Sequence, residues 1–350
     1  MKKEIIMKKF IVKVLPLILI GVVFVWMGQG FAQQPTRMLK DLAGRQFIIP
    51  KQVNKVSGLD PLLTYMLWRL APQKLISIDK QFKSQLSFMT DEEIKKLATL
   101  PVTGVYYDGS INREQMLLLK PDVILSYKKD PDIEKKQEDY SALVVAASKD
   151  SLEELEASWR FIGKVVGNEK EGNQLADYWH QTMARIISKV AKIPDKDRLK
   201  VYYAQRDVNS TVGPKAIMAS IIRTAGGVNL YDSMTGAMIQ QESENIPTPM
   251  EQILAWNPDV IITGAAKSRD VIMSDPQWQN VSAVKNKRVY ASLSFERLDN
   301  IQSLMGLVWV ACKLYPERVK VDFTKETRNF YSKMYHHDKL TEAQIYEEKN

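Results

Sequence analysis

Aromatic and arginine side chains stand in several segments where a short apolar run gives way to a polar loop. Aromatic faces suit flat chelates or macrocycles, and fixed guanidinium groups suit carboxylates and other anions. Packing within the loops is the alternative role for each of these side chains. The pattern predicts a site for a flat, negatively charged small molecule. The candidate residues are Tyr106, Tyr107, Tyr127, Arg206, Phe295 and Arg297.

A glutamate occupies the same place in two copies of one sequence pattern. The segment REQMLLLKPDVILSY (113–127) returns as MEQILAWNPDVIITG (250–264), 137 residues later. Glu114 and Glu251 each lie seven residues before a Pro-Asp pair, near the start of an expected helix. A carboxylate there can bind an arginine of a partner, or it can merely offset the positive end of the helix dipole.

Catalytic and metal chemistry find little support in the sequence. It contains no GxSxG, P-loop or HExxH motif. His180, His336 and His337 stand outside the loops that carry the aromatic and arginine residues, so no metal site is expected. Cys312, the only cysteine, lies in the apolar run GLVWVACKLY and is expected to pack there.

Two further motifs are assigned to structure. The Pro-Asp pairs should end a helix and open a strand, with Asp122 and Asp259 in the turn. Gly226 and Gly227 follow an apolar helical segment instead of preceding one. They are therefore expected to cap that helix, not to cradle a phosphate.

Short strands and helices alternate through the chain. Pro61 should open a helix, KLISI (74–78) should form a strand, and Ser151 with Glu154 should form a capping box. An apolar stripe at helical spacing from about 170 to 190 predicts one long helix between the two repeat copies. This order predicts an α/β fold of two Rossmann-like lobes with mostly parallel sheets.

The N-terminal segment resembles a secretory signal. Lysines precede the 14-residue apolar run VLPLILIGVVFVWM, and Gly30 and Ala32 stand at the small-residue positions before a cleavage site. A membrane span needs about 20 apolar residues, so this shorter run argues against one. An uncleaved N-terminal anchor is the alternative to cleavage. No cysteine follows the signal, so we expect a periplasmic protein without a lipid anchor.

Composition excludes other classes of protein. The chain has 350 residues and a formal net charge of +8, and its first 32 residues contribute five lysines against one glutamate. No basic cluster with interleaved aromatics remains, so nucleic-acid binding is not expected.

The length predicts two domains. The expected division is signal 1–32, N-terminal lobe 33–168, bridging helix 169–193 and C-terminal lobe 194–350.

The order of several short motifs resembles the periplasmic substrate-binding proteins of ABC importers for iron–siderophores, haem and cobalamin. These motifs are NREQMLLLKPDVI, TAGGVNL, MEQILAWNPDVII, FER and LYPE. The resemblance implies two lobes joined by one rigid helix, with the ligand in the cleft between them. It also implies that Glu114 and Glu251 dock onto arginines of the permease dimer, and that an aromatic near Tyr107 faces the ligand.

An iron–siderophore is the expected ligand, since that branch of the family is the broadest. SFER resembles the cobalamin-binding branch, and haem is the other alternative. We expect a monomer without an intrinsic cofactor, whose rigid bridge permits only slight lobe closure. The alternative hypotheses are an exported enzyme and an exported sensor with the same fold. A chemically altered chelate would favour the enzyme, and the absence of neighbouring permease and ATPase genes would favour the sensor.

Overall fold

The computed structural model describes residues 35–82, 89–104, 109–205, 207–234, 245–293, 301–337 and 339–349. The strands in these ranges are β1 Thr36–Lys40, β2 Gln46–Pro50, β3 Val56–Gly58, β4 Val123–Tyr127, β5 Leu143–Ala147, β6 Lys200–Ala204, β7 Ser210–Thr211, β8 Val228–Asn229, β9 Ile246–Pro247, β10 Val260–Thr263 and β11 Val289–Ala291. The helices are α1 Pro61–Leu70, α2 Asp91–Leu97, α3 Arg113–Leu119, α4 Ile133–Tyr140, α5 Leu152–Val166, α6 Glu169–Val190, α7 Ile217–Thr224, α8 Met250–Trp256, α9 Ala266–Ser274, α10 Ser282–Lys285, α11 Ser303–Leu314, α12 Phe323–Tyr335 and α13 Glu342–Tyr346.

Two parallel sheets organise the fold. The first has the order β3-β4-β5, with Val123 opposite both Val56 and Leu143. The second has the order β11-β10-β6-β8, and all of its described pairings are parallel. Parallel sheets are covered on both faces, which explains why every residue of β4 and β10 is buried.

Two small antiparallel pairs flank these sheets. β1 pairs with β2, and β7 pairs with β9. In the first pair Met38 lies opposite Ile48, and the two side chains are 66% and 64% exposed. This pair is therefore an apolar surface feature, whereas Ile49 on the opposite face of the hairpin is fully buried.

One hydrophobic core runs between the two sheets. Val123 and Leu125 of β4 belong to the same buried cluster as Val201 of β6 and Ile262 of β10, together with residues of α5, α6, α7, α11 and α12. The alternate strand residues face outward into separate clusters, one beyond each sheet. Side chains of a strand alternate between its two faces, so each sheet presents one face to the shared core and one to its own helices.

The 22-residue helix α6 is fixed against α5 by close backbone packing. A Cβ atom added at Gly172 would lie 2.7 Å from the carbonyl oxygen of Trp159 and 2.9 Å from Cα of Gly163. The indole of Trp179 donates a 2.8 Å hydrogen bond to the carbonyl of Leu152. At about 1.5 Å per residue, α6 is a rod of about 33 Å. Its rigidity rests on this contact as well as on its length.

The predicted fold class, two α/β lobes with parallel sheets and one long helix, is confirmed. The division of the chain at residues 168 and 193 stays a prediction. Among the described residues, no helix combines the length and the apolar character needed to span a membrane.

Two local predictions were wrong in part. KLISI forms single bridges at Leu75 and Ile78 instead of a continuous strand, because its two ends pair with different segments. Ser151 caps α5 by accepting from the amide of Glu154, as expected. The Glu154 carboxylate does not return to Ser151, since it binds Lys128 and Ser148 instead.

Candidate functional site

The carboxyl ends of the first sheet bring together an aspartate, a tyrosine and a lysine. The hydroxyl of Tyr127, the last residue of β4, donates a hydrogen bond to Asp60, which follows β3. Lys149, just after β5, places its Nζ atom 4.7 Å from the centre of the Tyr127 ring and 3.9 Å from Asp60 Oδ2. Asp60 also accepts a 2.8 Å bond from the amide of Leu62 and so caps α1.

The side chain of Tyr127 is largely covered by its neighbours. The side chain is only 7% exposed, its hydroxyl is bound and Lys149 lies over its ring. The ring therefore serves mainly to hold Lys149, and it offers little surface on which a flat ligand could stack. A cation over an aromatic face gains electrostatic stabilisation there. Lys149 keeps 23% of its side chain exposed at the edge where ligands of open parallel sheets bind.

A second buried carboxylate lies behind the first. Asp79 is 2% exposed and accepts hydrogen bonds from the Thr64 hydroxyl at 3.2 Å and from the amide of Gln81 at 2.9 Å. Burial, and next the charge of Asp60, raise the pKa of Asp79 to about 6. Protonation of Asp79 therefore removes a negative charge that acts on Asp60.

The segment with Tyr106 and Tyr107 lies outside the described residues, but its two ends are described. Gly104 has φ +111°, and a Cβ there would lie 2.3 Å from the carbonyl oxygen of Ser110. Only glycine permits so close an approach. Gly104 and Ser110, on the two sides of this segment, therefore lie in close contact.

Arg206 also lies outside the described residues, whereas the residues on both sides of it are described. The amide of Gln205 donates to the carbonyl of Ser210 at 3.0 Å. The hydroxyl of Tyr202 donates to the carbonyl of Val208 at 3.0 Å. The described residues after position 206 are thus held against the end of β6.

Phe295 and Arg297 lie outside the described residues as well. The chain enters their segment at Leu293, which pairs with Glu348 near the C-terminus. Lys349 donates through its amide to the carbonyl of Ser292 at 2.9 Å. The C-terminal tail therefore holds the last described residues before this segment.

The two repeat helices, α3 and α8, present their glutamates to solvent. Glu114 and Glu251 are each the second residue of a seven-residue helix, and both are exposed. Among the described residues, neither carboxylate has a salt-bridge partner. The helices end alike, with Lys120 at φ 51° and Asn257 at φ 44° as left-handed caps.

The first repeat helix is clamped at its C-terminal end. Asp122 Oδ2 accepts from the amides of Asn54 at 2.7 Å and Lys55 at 3.0 Å. The Lys55 ammonium donates to the carbonyl of Leu119, the last residue of α3, at 3.4 Å. A cation near the last carbonyls of a helix is favourable.

The second repeat helix has the same clamp. Asp259 Oδ2 accepts from the amide of Lys200 at 2.8 Å, and the Lys200 ammonium donates to the carbonyl of Trp256 at 2.9 Å. The structural role expected for Asp122 and Asp259 accords with these bonds. Each clamp fixes its glutamate-bearing helix to the neighbouring strand.

Other titratable residues serve local packing. Within the described ranges, no three His, Cys, Asp or Glu side chains are grouped to hold a metal ion. His180 lies 3.1 Å from Glu156, and His336 caps α12. Burial raises the pKa of the half-buried Cys312 thiol to about 11. A polar cavity of about 470 Å³ beside α6 is lined in part by Arg69 and Tyr178, not by strand ends.

The sequence of the chain matches a known protein family. Residues 71–292 match the family of periplasmic binding proteins, and this range covers more than half of the chain. The chain belongs to that family.

Individual periplasmic binding proteins are distant in sequence. The molybdate-binding protein MolA of Haemophilus influenzae is 24% identical over 336 residues, which cover 87% of this chain and 93% of MolA. A cobalamin-binding protein of Halobacterium salinarum is 24% identical over 260 residues, which cover 72% of this chain and 65% of that protein.

Solved structures share the fold. An ABC transporter solute-binding protein from Sulfurospirillum deleyianum has a TM-score of 0.73 and 22% identity, and covers 88% of this chain and 98% of its own. The structure of MolA bound to molybdate has a TM-score of 0.70 and 22% identity. The match covers 86% of this chain and 98% of MolA. At this identity the likeness extends to the fold alone.

The sequence interpretation missed Asp60, Asp79 and Lys149. Their spacing along the chain carries no motif, because they come from three separate segments of the chain. The one available signal was position: Lys149 follows the apolar run ALVVAA, and polar residues after such runs lie at the ligand-binding edge of a parallel sheet.

Proposed function

We propose that the protein is the substrate-binding component of an ABC importer and captures an anionic metal chelate, with an iron–siderophore as the first candidate. The observation that carries the proposal is the ammonium of Lys149 at the carboxyl edge of the first sheet, held by Tyr127 and Asp60. Membership of the periplasmic binding protein family supports a transport role.

The charge of the site favours an anion. A lysine ammonium is a compact cation that binds carboxylate or phenolate oxygens, and ferric chelates built from such groups carry negative charge. Arg206 and Arg297 would add guanidinium groups from the second lobe, and Tyr106, Tyr107 and Phe295 would add aromatic surface. These five residues remain candidates for ligand contact.

A molybdate-type oxyanion is the second candidate. Its support is the similarity to MolA, which extends over most of both chains. Lys149 suits an oxyanion as well as a chelate, but an oxyanion leaves the aromatic candidates without a role. Cobalamin and haem are the remaining candidates, and cobalamin draws support from the Halobacterium relative.

Delivery would occur by docking on the membrane permease. In this proposal Glu114 and Glu251 bind arginines of the two permease subunits, so the cleft lies over the pore. Two separated charge-assisted contacts fix orientation as well as affinity. The protein acts as a monomer in the periplasm, after export by residues 1–32, and returns its ligand chemically unaltered.

A ligand panel tests the proposal. Native mass spectrometry of protein purified from its own cells identifies any retained compound. Titrations with a ferric catecholate, ferric citrate, haem, cyanocobalamin and molybdate, followed by isothermal calorimetry, rank the candidates. Tight binding of a ferric chelate that is recovered intact is the expected result. Binding of molybdate or cobalamin alone would replace the iron–siderophore, and chemical conversion of the ligand would indicate an enzyme.

A further inference from the structure

An exposed leucine lies on each repeat helix. Leu118 of α3 is 81% exposed, the highest value among the large apolar side chains of the described residues, and Leu254 of α8 is 42% exposed. The folding role of these helices is carried elsewhere: Met116 and Ile253 are fully buried in the outer clusters. The two leucines therefore contribute little to the core.

Each leucine shares a helix face with the glutamate. Leu118 is four residues after Glu114, and Leu254 is three residues after Glu251. Side chains three or four apart are neighbours on a helix surface. Each helix thus presents one acidic and one apolar side chain together.

The leucines are not at equivalent places in the repeat. Leu118 corresponds to Ala255, and Leu254 corresponds to the partly buried Leu117. Duplication alone would place them at the same position. The shared feature of the two helices is instead the surface they present, a carboxylate beside an apolar side chain.

We infer that Leu118 and Leu254 are contact residues of the docking surface, so that each lobe binds the permease through a paired acidic and apolar patch. The inference rests on the proposed transport function. The occupant is the periplasmic surface of a permease dimer, and each subunit would offer an arginine bordered by apolar side chains. An exposed carboxylate is complementary to a basic group of the partner, and the leucine beside each one is complementary to an apolar part of its surface.

The two parts of a patch contribute differently. Carboxylate–arginine attraction steers the encounter and is screened by salt. Burial of a leucine is non-directional and does not depend on charge screening. The clamps at Asp122 and Asp259 hold both helices in place, which limits the entropy lost on docking.

The test measures affinity for the permease–ATPase complex of the same cell, held in lipid nanodiscs, at low and at high salt. The variants are L118A/L254A and E114Q/E251Q. M38A/I48A is the matched control, since Met38 and Ile48 are similarly exposed on the β1–β2 hairpin. We expect L118A/L254A to weaken binding about tenfold at both salt concentrations, as for truncation of central interface residues. We expect E114Q/E251Q to weaken binding mainly at low salt.

The outcomes separate the inference from the proposed function. If only the glutamate variant weakens binding, Leu118 and Leu254 are not contact residues, and docking through Glu114 and Glu251 stands. If neither variant weakens binding, docking through α3 and α8 falls, and the inference falls with it. An equal loss in M38A/I48A would show nonspecific apolar attachment and overturn the inference. Sedimentation at high concentration and flotation with empty vesicles test self-association and lipid binding, and a positive result reversed by L118A/L254A would assign the leucines to that occupant.

Discussion

The ammonium of Lys149 lies 4.7 Å from the centre of the Tyr127 ring. Tyr127 ends β4, Lys149 follows the neighbouring β5, and Asp60, just after β3, lies against both. Three strand ends therefore fix one positive charge at the edge of the first lobe. The proposed ligand site is built around that charge.

Removing this charge should weaken the capture of an anionic ligand. We expect K149Q to reduce affinity for a ferric chelate about tenfold, equivalent to about 1.4 kcal/mol, and K149R to retain most of it. Isothermal calorimetry measures the affinities. K135Q is the control, because Lys135 is an exposed lysine of α4 paired with Asp139. Unchanged affinity in K149Q would remove Lys149 from the site.

Reversing both repeat glutamates should separate transport from ligand binding. We expect E114K/E251K to lower the initial rate of uptake at least about tenfold, because each lysine would face a permease arginine. The affinity for ligand should not change. E138K/E317K makes the same charge change at two other exposed glutamates and should transport normally. Normal uptake by E114K/E251K would exclude these residues from docking.

Asp79 should make stability depend on pH. Its folded-state pKa of about 6 exceeds the ordinary value of 3.8, so the folded protein holds this proton more tightly than the unfolded chain does. The associated stabilisation is complete below about pH 4 and is lost as the pH rises through 6, by about 3 kcal/mol at most.

Replacing Asp79 with a neutral isostere measures this effect. We expect the stability of D79N relative to the wild type to rise between pH 4.5 and 7.5, as seen by urea denaturation at each pH. The control D195N changes an aspartate that is 99% exposed and should show no such trend. A difference that is independent of pH would show that Asp79 titrates normally in the folded state.

A methyl group at Gly172 should loosen the contact between α5 and α6. Alanine gains about 1 kcal/mol over glycine from helix propensity alone. A Cβ 2.7 Å from the Trp159 carbonyl forces the backbones apart, and overpacking of this kind costs about 1–3 kcal/mol. We expect G172A to be less stable by about 1 kcal/mol in urea denaturation, while S188A, at an exposed site on α6, changes little. A more stable G172A would show that the helices separate freely.

Ligand binding should change the shape of the molecule only slightly. The two sheets share one buried cluster, and large apolar interfaces oppose domain motion. Arg185 of α6 also holds Glu326 of α12, with a 2.6 Å bond. Small-angle scattering should give the same radius of gyration with and without ligand. A marked decrease in the radius of gyration on ligand addition would contradict this prediction and indicate a hinge between the lobes.

The sequence predicted the repeated units because their signals are local. The helix of each copy and the Pro-Asp pair that follows it are set within a few residues, and both appear where expected. Gly226 caps α7 at φ +86°, again from its immediate surroundings. Local chemistry of this kind can be read without knowing what lies nearby in space.

The proposed ligand site could not be derived in the same way. Asp60, Tyr127 and Lys149 are far apart in the chain, and only the order of the strands brings them together. The same holds for Glu154, which was expected to cap its own helix and instead binds Lys128. A partner from a distant segment outcompetes a local one when it brings an opposite charge.

The cluster of buried side chains between the two sheets has a consequence for inheritance of the fold. The two sheets share one interior, so either lobe expressed alone would expose a wide apolar seam. Such a fragment would aggregate, and an intact chain should melt in one transition. Recombination that exchanges a whole lobe between relatives must therefore preserve the seam, whereas the loops at the strand ends can diverge and take up new cargo.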